Sequence, residues 1–144
     1  KSKLGGRSNH VIYEIPCVCG AVYIGQTERA VAKRHQEHER ELRLARAELE
    51  EDGERNEQRA EQRMRSSKLV EHCIRGCGLN PDWENVCVLE TESGWTARRL
   101  RETYQTMKKR HEGKNDTDVR IDESWGETLQ NFWDKDFRRR NLRP

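Results

Sequence analysis

Two short, largely apolar runs stand out near the start of the chain. Residues 11–15 (Val-Ile-Tyr-Glu-Ile) and 21–26 (Ala-Val-Tyr-Ile-Gly-Gln) are rich in β-branched and aromatic side chains. Pro16, Cys17, Cys19 and Gly20 lie between them and read as a turn. The pattern predicts a hairpin with Tyr13 on one strand and Tyr23 on the other. Thr27 is placed to cap a following helix, with Ala30, Val31 and Arg34 on successive turns and an end near Leu49. Past His38 the apolar spacing thins to Leu42, Ala45 and Leu49. Glu and Arg then recur one turn apart, as in Glu39/Arg43, Arg46/Glu50 and Glu61/Arg65. Gly53 interrupts, so residues 39–65 read as a solvated helical hairpin or a partly disordered insertion. Sustained apolar heptads are absent, which excludes a coiled coil, and no internal repeat is visible.

Ser66 or Ser67 caps a short helix through Ile74, which Gly76, Gly78 and Pro81 end. Residues 86–89 predict a third strand, apolar enough to be buried on both faces, with Cys87 in its core. After Gly94, residues 96–111 predict a helix whose apolar stripe is Leu100, Tyr104 (or Thr103) and Met107. Residues 112–123 read as polar loop. Trp125, Leu129, Phe132 and Trp133 form an aromatic cluster expected to fold back over the core. These elements describe an α+β domain, a small three-stranded antiparallel sheet flanked by helices, over residues 10–137. A flexible linker precedes it at 1–9 and a loose basic tail follows at 138–144.

With 32% hydrophobic and 38% charged residues in 144, only one modest core can be built. No apolar run reaches membrane-spanning length and no secretory leader is visible. The chain opens on Lys1, which suggests a piece excised from a longer protein. Net charge is only +2, but it is uneven: acids gather at 48–61, while 138–143 holds four arginines and no acid. Five cysteines with histidines nearby favour a metal site or buried thiols over a disulfide scaffold.

Two phenols on one hairpin, Arg34 and His38 one turn apart, and the carboxylate of Glu102 make an unusual set, suited to hydrolysing a phosphodiester at a metal ion. The string Val11-Ile12-Tyr13-Glu14-Ile15-Pro16-Cys17, then Tyr23-Ile24-Gly25-Gln26-Thr27, Arg29, Arg34, Glu37 and His38, resembles the GIY-YIG endonuclease family. The cysteines between the motifs, residues 66–72 (Ser-Ser-Lys-Leu-Val-Glu-His) and 82–86 (Asp-Trp-Glu-Asn-Val) resemble more closely the endonuclease domain at the C-terminal end of Penelope-like retroelement polyproteins. The resemblance spans residues 11–134. It departs from the family at Val11, where the family has glycine, at the 39–65 insertion, and in lacking a second histidine shortly after His72.

The resemblance implies that Glu102 holds Mg²⁺ or Mn²⁺, that Arg34 stabilises charge at the scissile phosphate, and that Tyr13 and Tyr23 activate or orient the attacking water. His38 is a second candidate base or phosphate contact, and Asn115 a phosphate contact. Plain alternatives stand beside these: Glu102 paired with Arg98, Arg34 bridged to Glu37 or Glu41, the tyrosines as core, Asn115 as a turn residue. Arg29, Lys33, Arg98, Arg99, Arg138, Arg139 and Arg140 are the expected DNA contacts. A structural zinc site is expected from Cys17, Cys19, His72 and Cys77, with Cys73 or the more remote His38 as alternative fourth ligands. By resemblance, the partners are DNA and a fused or cooperating reverse transcriptase, and the location is nuclear. The rival functions are a repair or junction nuclease, and an inactive zinc-stapled nucleic-acid-binding module.

Overall fold

The computed structural model describes residues 2–3, 8–115 and 126–141, the side chains of 2–3, 126, 133 and 136–141 excepted. Its centre is the predicted hairpin. β2 (Val11–Pro16) pairs antiparallel with β3 (Val22–Thr27) in a register that sets Tyr13 opposite Gly25 and Ile15 opposite Tyr23. β4 (Cys87–Thr91) adds antiparallel on the other side of β2, with a register shift between Ile12 and Tyr13. The three-stranded antiparallel sheet of an α+β fold is therefore present. A fourth, two-residue strand, β1 (Ser2–Lys3), pairs with β4, giving the order β1-β4-β2-β3. Part of the expected linker is thus an edge of the sheet, which backbone pairing alone accomplishes without an apolar signature.

Side-chain alternation splits the sheet into two faces. Val11, Tyr13 and Ile15 point into the main core, with Val31, Leu42 and Ala45 of α1 (Val31–Glu50), Ala60 and Met64 of α2 (Glu54–Ser66), and Leu69 and Val70 of α3 (Lys68–Glu71). Ile12, Val22 and Ile24 form a second, smaller cluster with Leu89. The charged 39–65 stretch is a helical hairpin, as one of its two readings had it, and one side of it is core. Arg63 ties its two arms together through Glu41 (2.8 Å) and Glu48 (2.9 Å).

Thr27 does not cap α1. It ends β3, and its hydroxyl accepts the Arg29 N–H (3.1 Å), so the helix starts at Val31. Ser67 does cap α3, accepting the Val70 N–H at 3.3 Å. α4 (Trp95–His111) packs on β3 and β2 with an unexpectedly polar face: Arg98, Thr106 and Lys109 are buried with Tyr104, while Leu100 and Met107 are only half-buried. α5 (Gly126–Asn141) lies against α4, with Phe132 5.6 Å from the Tyr104 ring and Leu129 buried. Trp125 and the Trp133 side chain lie outside the described residues. The helix continues through residues 138–141, where a loose tail was expected; the side chains of Arg138, Arg139 and Arg140 lie outside the described ones. Among the described residues, no helix is long and apolar enough to cross a membrane.

Candidate active site and metal-binding cluster

The row formed by Tyr13 and Gly25 is where the sheet meets α1. Tyr13 is 2% exposed, and its hydroxyl lies 2.7 Å from His38 Nε2 on α1. Tyr23, one row along, completes an aromatic triangle, with ring centroids 6.4 Å from Tyr13 and 5.4 Å from His38. Gly25 makes this possible. A Cβ there would sit 2.5 Å from Tyr13 Cζ and 2.9 Å from Cε2, inside van der Waals contact. The glycine is required by a close approach of a neighbouring ring, a constraint invisible in propensity. Gly25→Ala should therefore displace Tyr13 from His38 and destabilise the fold by ~1–3 kcal/mol; an unchanged urea midpoint would show that the ring moves aside freely.

Arg34, one turn before His38, faces the same phenols. It donates to Glu37 at 2.9 Å, as its plain alternative had it, and also interacts with Tyr13. Burial works against its charge, but Glu37 and the two phenols outweigh that and hold it firmly protonated. Burial raises the Tyr13 pKa, with Tyr23 and Glu102 adding to it and Arg34 opposing. Burial and then Glu102 likewise raise Tyr23. Glu102 on α4 thus acts on both tyrosines, and three separate segments converge: the hairpin, α1 and α4. Burial also raises the Glu102 pKa, against Arg99 and Arg98. Among the described residues its carboxylate is in no hydrogen bond or ion pair of ordinary length. The pairing with Arg98 that was its plain alternative is not made.

Arg98 is instead fully buried. Its guanidinium donates to Gln26 Oε1 (2.6 Å), Glu28 Oε1 (2.9 Å) and the carbonyls of Glu92 and Ser93. It clamps the start of α4 to the ends of β3 and β4, and as such is no DNA contact. Arg29, Lys33 and Arg99 are exposed, Arg29 held by Glu37 and Arg99 stacked 5.0 Å above the exposed ring of Trp95. Asn115 lies past α4, where its Nδ2 donates to the Val22 carbonyl (2.9 Å) and Val22 N–H donates to Lys114 O (2.8 Å). It closes the free edge of β3 beside Tyr23.

Burial, with Arg34 adding to it, pushes the His38 pKa down to about 4. A depressed histidine favours the neutral folded state. Its contribution is complete above the unfolded value near 6.5 and is lost as pH falls through the folded one. Chemical denaturation should accordingly show stability falling by up to ~3 kcal/mol between pH 7 and 4, with a shallower slope in His38→Gln.

At the other end of the same hairpin face, the Cys17–Gly20 turn meets the helix after α3. Cys17, Cys19, His72 and Cys77 place one ligand atom each within 4.8 Å of one another. Cys17 Sγ is 3.5 Å from Cys77 Sγ, and Cys19 Sγ is 3.3 Å from His72 Nε2. Ligands 2.3 Å from a tetrahedral zinc stand about 3.8 Å apart, so this group can hold a metal ion such as zinc. Two features that sequence reading missed build it. Residues His72–Gly76 form a π-turn, closed by Cys77 N–H to His72 O (2.9 Å), which turns Cys77 back under His72. Gly20, at φ +97°, lets the chain double back so that Ala21 N–H reaches Cys19 Sγ (3.4 Å), as Leu79 N–H reaches Cys77 Sγ (3.3 Å). Burial pushes the Cys17 pKa up to about 12, while the Cys77 thiol is lowered by the Leu79 N–H and Cys17 against the pull of burial. Cys73 is buried outside the group and His38 is engaged by Tyr13, so neither alternative ligand is needed. Cys87 is half-buried in β4.

No family model matches the chain, and neither the curated proteins nor the solved structures contain a significant match.

Proposed function

We propose that the chain is a metal-dependent DNA endonuclease that hydrolyses a phosphodiester bond. The observation that carries this reading is the convergence of Tyr13, Tyr23, His38, Arg34 and Glu102 from three segments of the chain. Few reactions need two neutral phenols, a fixed guanidinium and an isolated carboxylate together. Attack of water on a phosphate needs a group to take the water's proton, a cation to hold the phosphate oxygens, and a divalent ion. Glu102 offers one unengaged carboxylate, which suits Mg²⁺ or Mn²⁺, hard ions that keep several waters and accept substrate phosphate as ligand. Such an ion would supply Lewis-acid polarisation of the phosphate.

The protein's own groups divide the remaining work. Arg34 presents its planar fork to two phosphate oxygens and stabilises their developing charge. Tyr13 takes the proton of the attacking water as it hands its own to His38 Nε2, and Tyr23 orients that water. The O–P bond forms as the P–O3′ bond breaks, leaving a 3′ hydroxyl once protonated. The His38 pKa is low in the free protein, so the relay depends on the substrate's negative charge to raise it. A 3′ hydroxyl at a nick is a primer end. With the resemblance to Penelope-like elements, this supports target nicking for a reverse transcriptase, in the nucleus, over repair or junction cleavage.

Supercoiled plasmid should be nicked with Mg²⁺ or Mn²⁺ present and not without. An inert protein that still binds DNA through Arg29, Lys33 and Arg99 would instead be the zinc-stapled binding module. Arg34→Lys keeps the charge and loses the fork, so nicking should fall by ~10²-fold; full activity would reduce Arg34 to the partner of Glu37.

A further inference from the structure

A cavity of about 320 Å³ opens between the candidate active site and the metal cluster. It covers the Ile15/Tyr23 row, two strand residues or about 7 Å along the hairpin from Tyr13. Tyr23 and Ile15 form its floor, α3 one side, and the Lys114–Asn115 segment the other. His72 and Cys17 close its inner end. The volume is at the small end of ligand sites, enough for one nucleotide and too little for two.

We propose that this cavity receives one unpaired nucleotide of the strand being cut, which makes DNA with a single-nucleotide bulge beside the scissile phosphate the preferred substrate. The proposal rests on the nuclease reading for its register, and on the cavity's own chemistry for its ligand. An aromatic ring and aliphatic walls suit the faces of a base, whatever its identity. The Asn115 amide is fixed by its bond to Val22 O, so its polar atoms are pre-positioned. Lys68, Arg75 and Lys114 also line it, with side chains 60%, 56% and 51% exposed, against the one carboxylate of Glu71. Each pairs with a neighbouring glutamate at the surface. Such pairs are weak, so a phosphate can recruit all three cations. A strand whose phosphate lies at Arg34 and Glu102 would place its next nucleotide here.

The test is binding of the uncleaving Glu102→Gln protein to end-labelled duplexes that are fully paired, carry a one-nucleotide bulge, or carry an abasic bulge, followed by fluorescence anisotropy. The bulged DNA should bind ~10-fold tighter than the paired one, and the abasic bulge should lose most of that gain. In the same background, Ala21→Phe, which fills the cavity, and Lys68→Glu, which repels phosphate at its mouth, should erase the preference and leave paired DNA bound within about twofold. Lys68 is not one of the metal ligands and its side chain is 60% exposed, so it decides the matter if Ala21→Phe loses its metal. Equal affinity for the three duplexes, or a preference that survives in Lys68→Glu, overturns the proposal. Failure of the nuclease reading looks different: no plasmid is nicked, yet the bulge preference and its dependence on Lys68 persist.

Discussion

Glu102→Gln is expected to abolish nicking, a loss of at least ~10²-fold, while DNA binding changes little. The substitution keeps the size of the side chain and removes the charge that would hold the divalent ion. It should not disturb α4, because the helix is fixed one turn earlier by Arg98, whose guanidinium reaches Gln26, Glu28 and two carbonyls. A second signature separates this from misfolding. With its zinc in place, the variant should keep the parent's zinc content and melting temperature while losing nicking. A variant that nicks at the parent rate would remove Glu102 from the site, and one that melts well below the parent would make it a structural residue.

The hairpin was legible because its signal is local: short apolar runs, β-branching and a Pro/Cys/Gly turn all point the same way. The metal tetrad was legible in composition, and its members do meet. How they meet was not, because the π-turn at His72–Gly76 follows from packing and has no residue signature. Arg98 shows the opposite failure. An arginine beside Arg99 on a charged helix reads as surface, yet it is wholly buried, because Gln26 and Glu28 from a distant segment, with the carbonyls of Glu92 and Ser93 just before the helix, satisfy its donors. The same cause hid the polar stripe of α4: its apolar periodicity, Leu100, Tyr104 and Met107, includes the side that meets Phe132 of α5, while the sheet side is hydrogen-bonded. Strand β1 was hidden because a two-residue edge pairs through its backbone. The convergence of Glu102 on the tyrosines could be anticipated only from resemblance; nothing in spacing relates residue 102 to residues 13 and 23.

Removal of the bound metal is expected to have the largest effect on stability. Structural zinc contributes ~10–16 kcal/mol to small sites near neutral pH, comparable to or above the whole stability of a domain this size. Here it would join the Cys17–Gly20 turn to the helix ending at Cys77, adding to the backbone bridge of Cys17 with Pro81 and the Val18 N–H to Asn80 O bond just beyond that helix. Cys17 lies on the same strand face as Ile15 and Tyr13, so loosening the turn reaches the Tyr13–His38 bond two rows away. Purified protein should carry about one zinc per chain by elemental analysis. Cys17→Ser and His72→Ala should lose it, with the melting temperature falling in step. Cys73→Ala, which deletes a buried thiol outside the tetrad, should keep its zinc and lose only the stability of a small core cavity. The discriminating measurement is a thermal melt with and without a zinc-selective chelator. Identical curves, in a protein without zinc, would make Cys17, Cys19 and Cys77 ordinary thiols and leave the turn to be held by its backbone, through Cys17 N–H to Ala21 O, Gly20 N–H to Cys17 O, Val18 N–H to Asn80 O, Asp82 N–H to Pro16 O and the Cys17–Pro81 bridge.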